Sequence, residues 1–150
     1  MHINQGLSEE LFRLFTNIGH ANHNSPIKPA LTPIQYTLML TIAARPRRGT
    51  DLVGVVGLDQ STISRRIAQL CDAGLAERIP DPDDGRAQLV RLTGAGVEMV
   101  EGERARRVRT VTDALDEWED EERADLARLL AHLNETLEAQ RGLATKEPRV

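Results

Sequence analysis

The stretch LDQSTISRRIAQLCDAG, residues 58–74, decides how the chain is read. Asp59 stands where an acceptor side chain caps the first free amides of a helix, and Gln60 opens that helix. Ile63, Ile67, Leu70 and Cys71 fall at i, i+4, i+7 and i+8, the spacing of one buried stripe. Gly74 follows as the stop. The opposite face holds Ser61, Arg65, Ala68 and Gln69, with Thr62 and Ser64 on its flanks. Short hydroxyls, a guanidinium and an amide make a face slim enough for a major groove. There such groups donate to phosphates or to base edges, Arg to guanine above all. Acids are absent from Gln60 through Gln69, although they are common elsewhere in the chain. An ordinary solvated helix face would have a similar composition, so the neighbouring elements must decide between the two readings.

Upstream, Asp51 to Val56 reads as a short helix capped by Thr50, weakened by Gly54 and followed by a turn through Gly57 and Leu58. Before it, Thr32-Pro33-Ile34-Gln35 combines a cap, a first-turn proline and a glutamine that can reach back to the cap. That helix should run to about Ala44. Leu7, Leu11, Leu14, Phe15 and Ile18 predict an amphipathic helix over Ser8 to His20, and Asn22 to Pro29 reads as a loop. Downstream the period changes. Leu75 to Pro80 and Gln88 to Leu92 are short strands, with Asp84-Gly85 as the hairpin turn between them.

Arg86, just past that turn, can lay its guanidinium in or beside a minor groove, whose negative potential favours Arg. Asp83 and Asp84 lie close enough in sequence to orient it; a surface ion pair without function is the alternative. Thr93 then caps a long helix running to about Trp118, with Val97, Val100, Val108, Val111 and Leu115 apolar and a polar middle turn at Arg104 to Arg107. Asp120-Glu121-Glu122 opens a last helix whose stripe is Leu126, Leu129, Leu130, Leu133 and Leu137. The tail from Thr145 is polar and expected to fray.

A short helix, a tight turn, a second helix and a basic-tipped hairpin form a winged helix-turn-helix pattern. Residues 58–67 with Leu70 and Gly74-Leu75-Ala76-Glu77-Arg78 resemble the DNA-binding lobe of MarR-type regulators. Asp81-Pro82-Asp83-Asp84-Gly85-Arg86-Ala87, Val90-Arg91-Leu92-Thr93 and Gly96 are similar to that family's wing and the entry to its next helix. Leu31-Thr32-Pro33-Ile34-Gln35-Tyr36 resembles its second-helix start.

The resemblance implies a mainly α fold with a small β-hairpin wing, organised as one 150-residue domain. Residues 31–96 would be the winged-helix lobe, and residues 1–22 and 97–145 the dimerisation helices. It further implies a homodimeric transcriptional regulator, a repressor by family habit, on a near-palindromic duplex. DNA contacts would come from Gln60, Ser61, Thr62, Ser64, Arg65, Arg66 and Gln69 on the reading helix, with Asp84 and Arg86 on the wing. Arg65 and Ser61 are the leading base readers, and Arg66 falls nearer the backbone. Members of the family often respond to small aromatic or phenolic effectors. Tyr36, Met39, Arg45, Arg47 and His20 lie near the relevant junction, although core packing or DNA-backbone contact would explain each of them.

Charge is consistent with this once it is divided along the chain. The net charge is −4, yet Arg45 to Leu92 holds eight arginines against seven acids, while the remainder has eleven bases and sixteen acids. The acidity lies outside the segment assigned to DNA, and a local basic surface is what phosphate senses. A single cysteine, Cys71, excludes an internal disulfide and fits a small core position in a cytoplasmic protein. The first residues lack a signal-peptide pattern, and no apolar run approaches the ~20 residues that span a bilayer.

His2, His20, His23 and His132 are scattered, so neither a metal nor another cofactor is expected. The peroxide-sensing cysteine near the first helix and the zinc-sensing histidines on the fifth, known in this family, have no counterparts. No glycine-rich phosphate loop, ligand cluster or nucleophile with a base marks an enzyme. A winged module that binds protein instead of DNA would not need Ser61, Arg65 and Arg86.

Overall fold

Residues 60–72 form the expected capped helix in the computed structural model, which describes residues 2–24 and 30–140. In chain order the elements are α1 (His2–Asn24), α2 (Pro33–Ala44), β1 (Arg47–Arg48), α3 (Gly49–Val56) and α4 (Gln60–Asp72). Then follow β2 (Ala76–Pro80), β3 (Gln88–Leu92), α5 (Gly94–Ala114) and α6 (Asp120–Gln140). The chain divides after Ala30 into two compact units, the first holding α1 and the second everything from α2 onward. α1 is longer than Ser8 to His20 at both ends. It takes in Asn22 to Asn24, which the turn residues had suggested were loop; Ser25 to Pro29 and the tail from Thr145 lie outside the described residues. Ile3, Phe12 and Phe15 on α1 are exposed.

In the second unit, local capping sets where most helices begin. The Thr32 hydroxyl accepts the Gln35 amide at 3.3 Å, and the Gln35 side chain accepts the Thr32 amide at 2.9 Å, closing a capping box with Pro33 in the first turn. The Thr93 hydroxyl accepts the Gly96 amide at 3.1 Å and starts α5. α3 differs from expectation: it begins at Gly49, inside which Thr50 is already helical, and Asp51 reaches back to the Arg48 amide at 3.3 Å. The acid in the first turn wins over the hydroxyl because it serves both the free amide and the positive helix end.

Gly57 and Gly74, at φ 67° and 72°, take the left-handed conformation that ends α3 and α4. At Gly74 the Leu75 amide bonds to the Leu70 carbonyl at 2.9 Å and the Gly74 amide to Cys71 at 2.9 Å, turning the chain sharply into β2.

The core is built where α2, α3, α4 and the sheet meet. Leu38, Met39, Ile42, Leu52, Ile63, Ile67, Leu70, Ala76, Val90 and Val100 are buried in one cluster. Each large member contributes about 1.5–3 kcal/mol by leaving water. Cys71 packs half-buried against this cluster, as a small core residue should. β2 and β3 pair antiparallel from Ala76 opposite Leu92 to Pro80 opposite Gln88. β1 adds a third strand on the far side of β3, with Arg47 opposite Val90, and was not foreseen.

α5 ends at Ala114, not near Trp118. Leu115 leaves helical geometry at φ −110° and ψ 20°, and the Arg123 guanidinium donates to the freed Leu115 and Asp116 carbonyls at 2.9 and 3.2 Å. Among the described residues no helix is long and apolar enough to cross a membrane.

Candidate nucleic-acid interface

The start of α4 is organised by one carboxylate. Asp59 Oδ1 accepts the Thr62 amide at 2.9 Å and the Ser61 hydroxyl at 2.5 Å, while Oδ2 accepts the Thr62 hydroxyl at 2.8 Å. These donors, Ser61 foremost, hold the Asp59 carboxyl far below the ordinary carboxylate range. The cap role is legible in the sequence; the capture of both hydroxyls is an addition from the structure, its signal being that Ser61 and Thr62 stand two and three residues after the cap.

Beyond that turn the apolar stripe of Ile63, Ile67 and Leu70 fixes the rotation of α4. Gln60, Ser61, Ser64, Arg65, Ala68 and Gln69 are thereby exposed, with Thr62 and Arg66 half-buried on the flanks. Arg66 donates to the Gln69 side-chain oxygen at 3.3 Å, which holds both along the helix surface. Among the described residues, no hydrogen bond or ion pair engages the Arg65 guanidinium.

The wing is a loop from Asp81 to Ala87 between β2 and β3. Its tight turn lies one residue beyond the Asp84-Gly85 centre expected: the Ala87 amide bonds to the Asp84 carbonyl at 2.9 Å, so Gly85 and Arg86 are the central pair. Gly85 does not take positive φ. Asp84 Oδ1 accepts the Arg86 backbone amide at 3.1 Å; the acid shapes the turn instead of gripping the guanidinium, as had been expected of Asp83 or Asp84. Arg86 is exposed at the tip.

The root of the wing is anchored to the helix-turn-helix by a pair that sequence reading missed. Arg48, the last residue of β1 and the cap position of α3, donates from Nε to Asp81 Oδ2 at 2.7 Å, with Nη2 at 2.5 Å from the same oxygen. Asp81 is buried, and its Oδ1 accepts the Asp83 amide at 2.9 Å. The Asp83 amide first, and the Arg48 guanidinium after it, hold the Asp81 carboxyl below its ordinary range. The partners are thirty-three positions apart, so no local signal joins them. Asp81→Asn keeps the shape and removes the charge. It is expected to lower the melting temperature, and to weaken DNA binding by less than removal of Arg86 does, as read by thermal unfolding and by titration against duplex.

A second polar group lies where α2 packs against α5. The buried Glu103 carboxylate accepts Arg106 Nε at 3.0 Å and Nη2 at 2.9 Å, and Arg107 Nε at 2.9 Å. The Arg107 guanidinium lies 4.2 Å from the centre of the Tyr36 ring on α2. Tyr36, Arg104, Arg107, Val108, Val111 and Thr112 line an open concavity of about 380 Å³ beside it. Of the other residues placed near this junction by sequence, Met39 is fully buried and serves the core.

Comparison with known proteins places this arrangement. The sequence model of the MarR family matches residues 31–87. The HTH-type transcriptional regulator YxaD of Bacillus subtilis is 33% identical over 89 residues, covering 59% of this chain and 62% of that protein. The chain thus spans under two-thirds of that relative's length. The HTH-type transcriptional regulator Mb0904 of Mycobacterium bovis is 31% identical over 132 residues, covering 85% of this chain and 77% of that protein. Among solved structures, the PcaV transcriptional regulator of Streptomyces coelicolor, in complex with its natural ligand, aligns with a TM-score of 0.65 and 26% identity, over 85% of this chain and 92% of that one. The capped α4, the three-stranded sheet and similarity along most of the sequence agree: this chain belongs to the MarR family of transcriptional regulators.

Proposed function

We propose that the chain acts as a homodimeric repressor that reads a near-palindromic duplex with α4 in the major groove and Arg86 in the flanking minor groove. The observation that carries this reading is the outward face of α4, exposed and free of acids from Gln60 through Gln69, with the Arg65 guanidinium uncommitted beside it. Arg65 is the principal base reader. Gln60, Ser61, Ser64 and Gln69 line the same face, Thr62 and Arg66 its flanks, and Asp84 sets the turn that presents Arg86.

The dimer is supported by apolar side chains that this chain leaves in water: Phe12 and Phe15 on α1, Val108 and Val111 on α5, Leu129 and Leu137 on α6. Leucine- and valine-rich faces of this kind pair across a two-fold axis. Two reading helices would then meet major grooves one helical turn apart or a multiple of it. A stable monomer in light scattering at micromolar concentration would contradict this.

The concavity beside Tyr36 offers apolar walls and two guanidinium groups to a small aromatic or phenolic effector, whose binding would relieve repression in the cytoplasm. The ligand complex of PcaV supports that reading by likeness.

The test is an anisotropy titration with DNA flanking the chain's own gene. Arg65→Ala is expected to weaken specific binding about tenfold and relax preference at one base pair per half-site. Arg86→Ala should weaken binding with the melting temperature unchanged. Parental affinity in both variants would overturn the proposed surface.

A further inference from the structure

We propose that Asp59 sets the hydrogen-bond polarity of Ser61, so that this position of the reading helix selects an amino-bearing base, adenine or cytosine, on the strand it faces. The inference rests on the DNA-reading role proposed for α4 and specifies the chemistry of one contact. A serine hydroxyl ordinarily turns to suit its partner, because it has one proton to give and two lone pairs to offer. Here that freedom is removed. The ionised Asp59 carboxylate is acceptor-only, and Ser61 donates to it at 2.5 Å. Thr62 donates its own hydroxyl proton to the other oxygen at 2.8 Å, so neither hydroxyl retains a proton for DNA.

Ser61 is exposed on the outward face and meets the groove with lone pairs alone. In the major groove every base pair presents one amino and one keto edge group: adenine N6 against thymine O4, cytosine N4 against guanine O6. A lone-pair-only oxygen is satisfied by the amino group. Facing the keto group, it leaves two acceptors opposed and desolvated, which binding disfavours. Ser61 therefore discriminates the orientation of a base pair, amino against keto, and not adenine from cytosine. The same carboxylate also occupies the Thr62 amide at the helix start.

The test is selection of duplexes from a randomised pool by the full chain, run in parallel for the parent, Ser61→Ala, Asp59→Ser and Arg65→Ala. In the parental site, the base pair whose preference Ser61→Ala relaxes should carry adenine or cytosine, favoured about fivefold or more over the keto bases. Asp59→Ser keeps a hydroxyl cap for the Thr62 amide but removes the ionised acceptor. It should admit guanine and thymine at that same pair and leave the other positions as they were.

A substitution in the DNA completes a cycle with Ser61→Ala and, in the parent, reads the contact without altering the protein. Replacing the selected adenine or cytosine by its analogue lacking the amino group should cost the parent as much affinity as Ser61→Ala does, and the two losses should not add. A keto base at the pair that Ser61→Ala relaxes, or no pair relaxed by it, overturns the inference. If the selected site responds to Arg65→Ala while Ser61→Ala is silent, only this inference falls. If the parent enriches no sequence, the DNA-reading role of α4 falls with it.

Discussion

Replacing Glu103 by alanine is expected to destabilise the protein by about 3–5 kcal/mol, the range for removing one partner of a buried ion pair. The Glu103 side chain is 0% exposed and that of Arg106 10%, so the arginine left behind would be a buried charge without its counter-ion. Arg107, at 38% exposure, can turn to water and softens the loss, which places the effect toward the lower end. For a chain of this size that corresponds to about 10 °C in melting temperature.

Glu103→Gln separates charge from shape. Hydrogen bonding and charge from Arg106, then from Arg107, hold the Glu103 carboxyl below its ordinary value. A lowered folded-state value means a contribution that is complete above the unfolded carboxyl's range, about 4.3, and lost as pH falls through the folded value. The stability gap between the parent and Glu103→Gln should therefore be full at neutral pH and close below about pH 4. Urea unfolding of both proteins across that window measures it. A gap that persists unchanged into acid would contradict the ion-pair account.

Gly96→Ala is the second large effect. A Cβ at Gly96 would lie 2.0 Å from the Leu75 carbonyl oxygen, 3.0 Å from its carbon and 3.3 Å from Leu92 Cβ. The obstacle is backbone, so no rotamer change relieves it. The Leu75 carbonyl also accepts the Thr93 amide at 3.1 Å, and the Gly74 carbonyl accepts the Thr93 hydroxyl at 2.6 Å. Moving α5 away would break the joint that ties the wing strands to the long helix. Overpacking of this kind costs about 3 kcal/mol or more. Gly94, two residues earlier, has open space around its missing Cβ, and Gly94→Ala should unfold near the parental urea midpoint. Equal stability for the two variants would show that the close approach at Gly96 does not constrain the fold.

Helix starts were the most legible part of the architecture because their causes are local. Thr32 with Gln35, Asp59 with Thr62, and Thr93 with Gly96 each act three residues along. Where the cause is distant, sequence reading failed. The end of α5 depends on Arg123, eight residues beyond the carbonyl it holds, while the apolar spacing of Val108, Val111 and Leu115 runs on through the break. β1 is two residues long, too short for any period, and exists because β3 offers it an edge.

The candidate site divides in the same way. The outward face of α4 follows from the Ile63, Ile67, Leu70 stripe, and Arg86 from its place in the turn. The Arg48–Asp81 anchor joins segments that only the folded chain brings together. Residues Arg104 to Arg107 read as a polar turn, and the i+3 and i+4 relation of Arg106 and Arg107 to Glu103 is visible in the sequence. The burial of that group was not, because it comes from α2 packing against α5.

The central claim, that Arg65 on α4 reads a base, is tested most directly by one comparison. The chain and Arg65→Ala are each titrated against a selected duplex and against the same duplex with the pair facing Arg65 exchanged. The account predicts about tenfold discrimination by the parent at that pair, collapsing to near parity in the variant. Undiminished discrimination by Arg65→Ala at every pair of the half-site would contradict it.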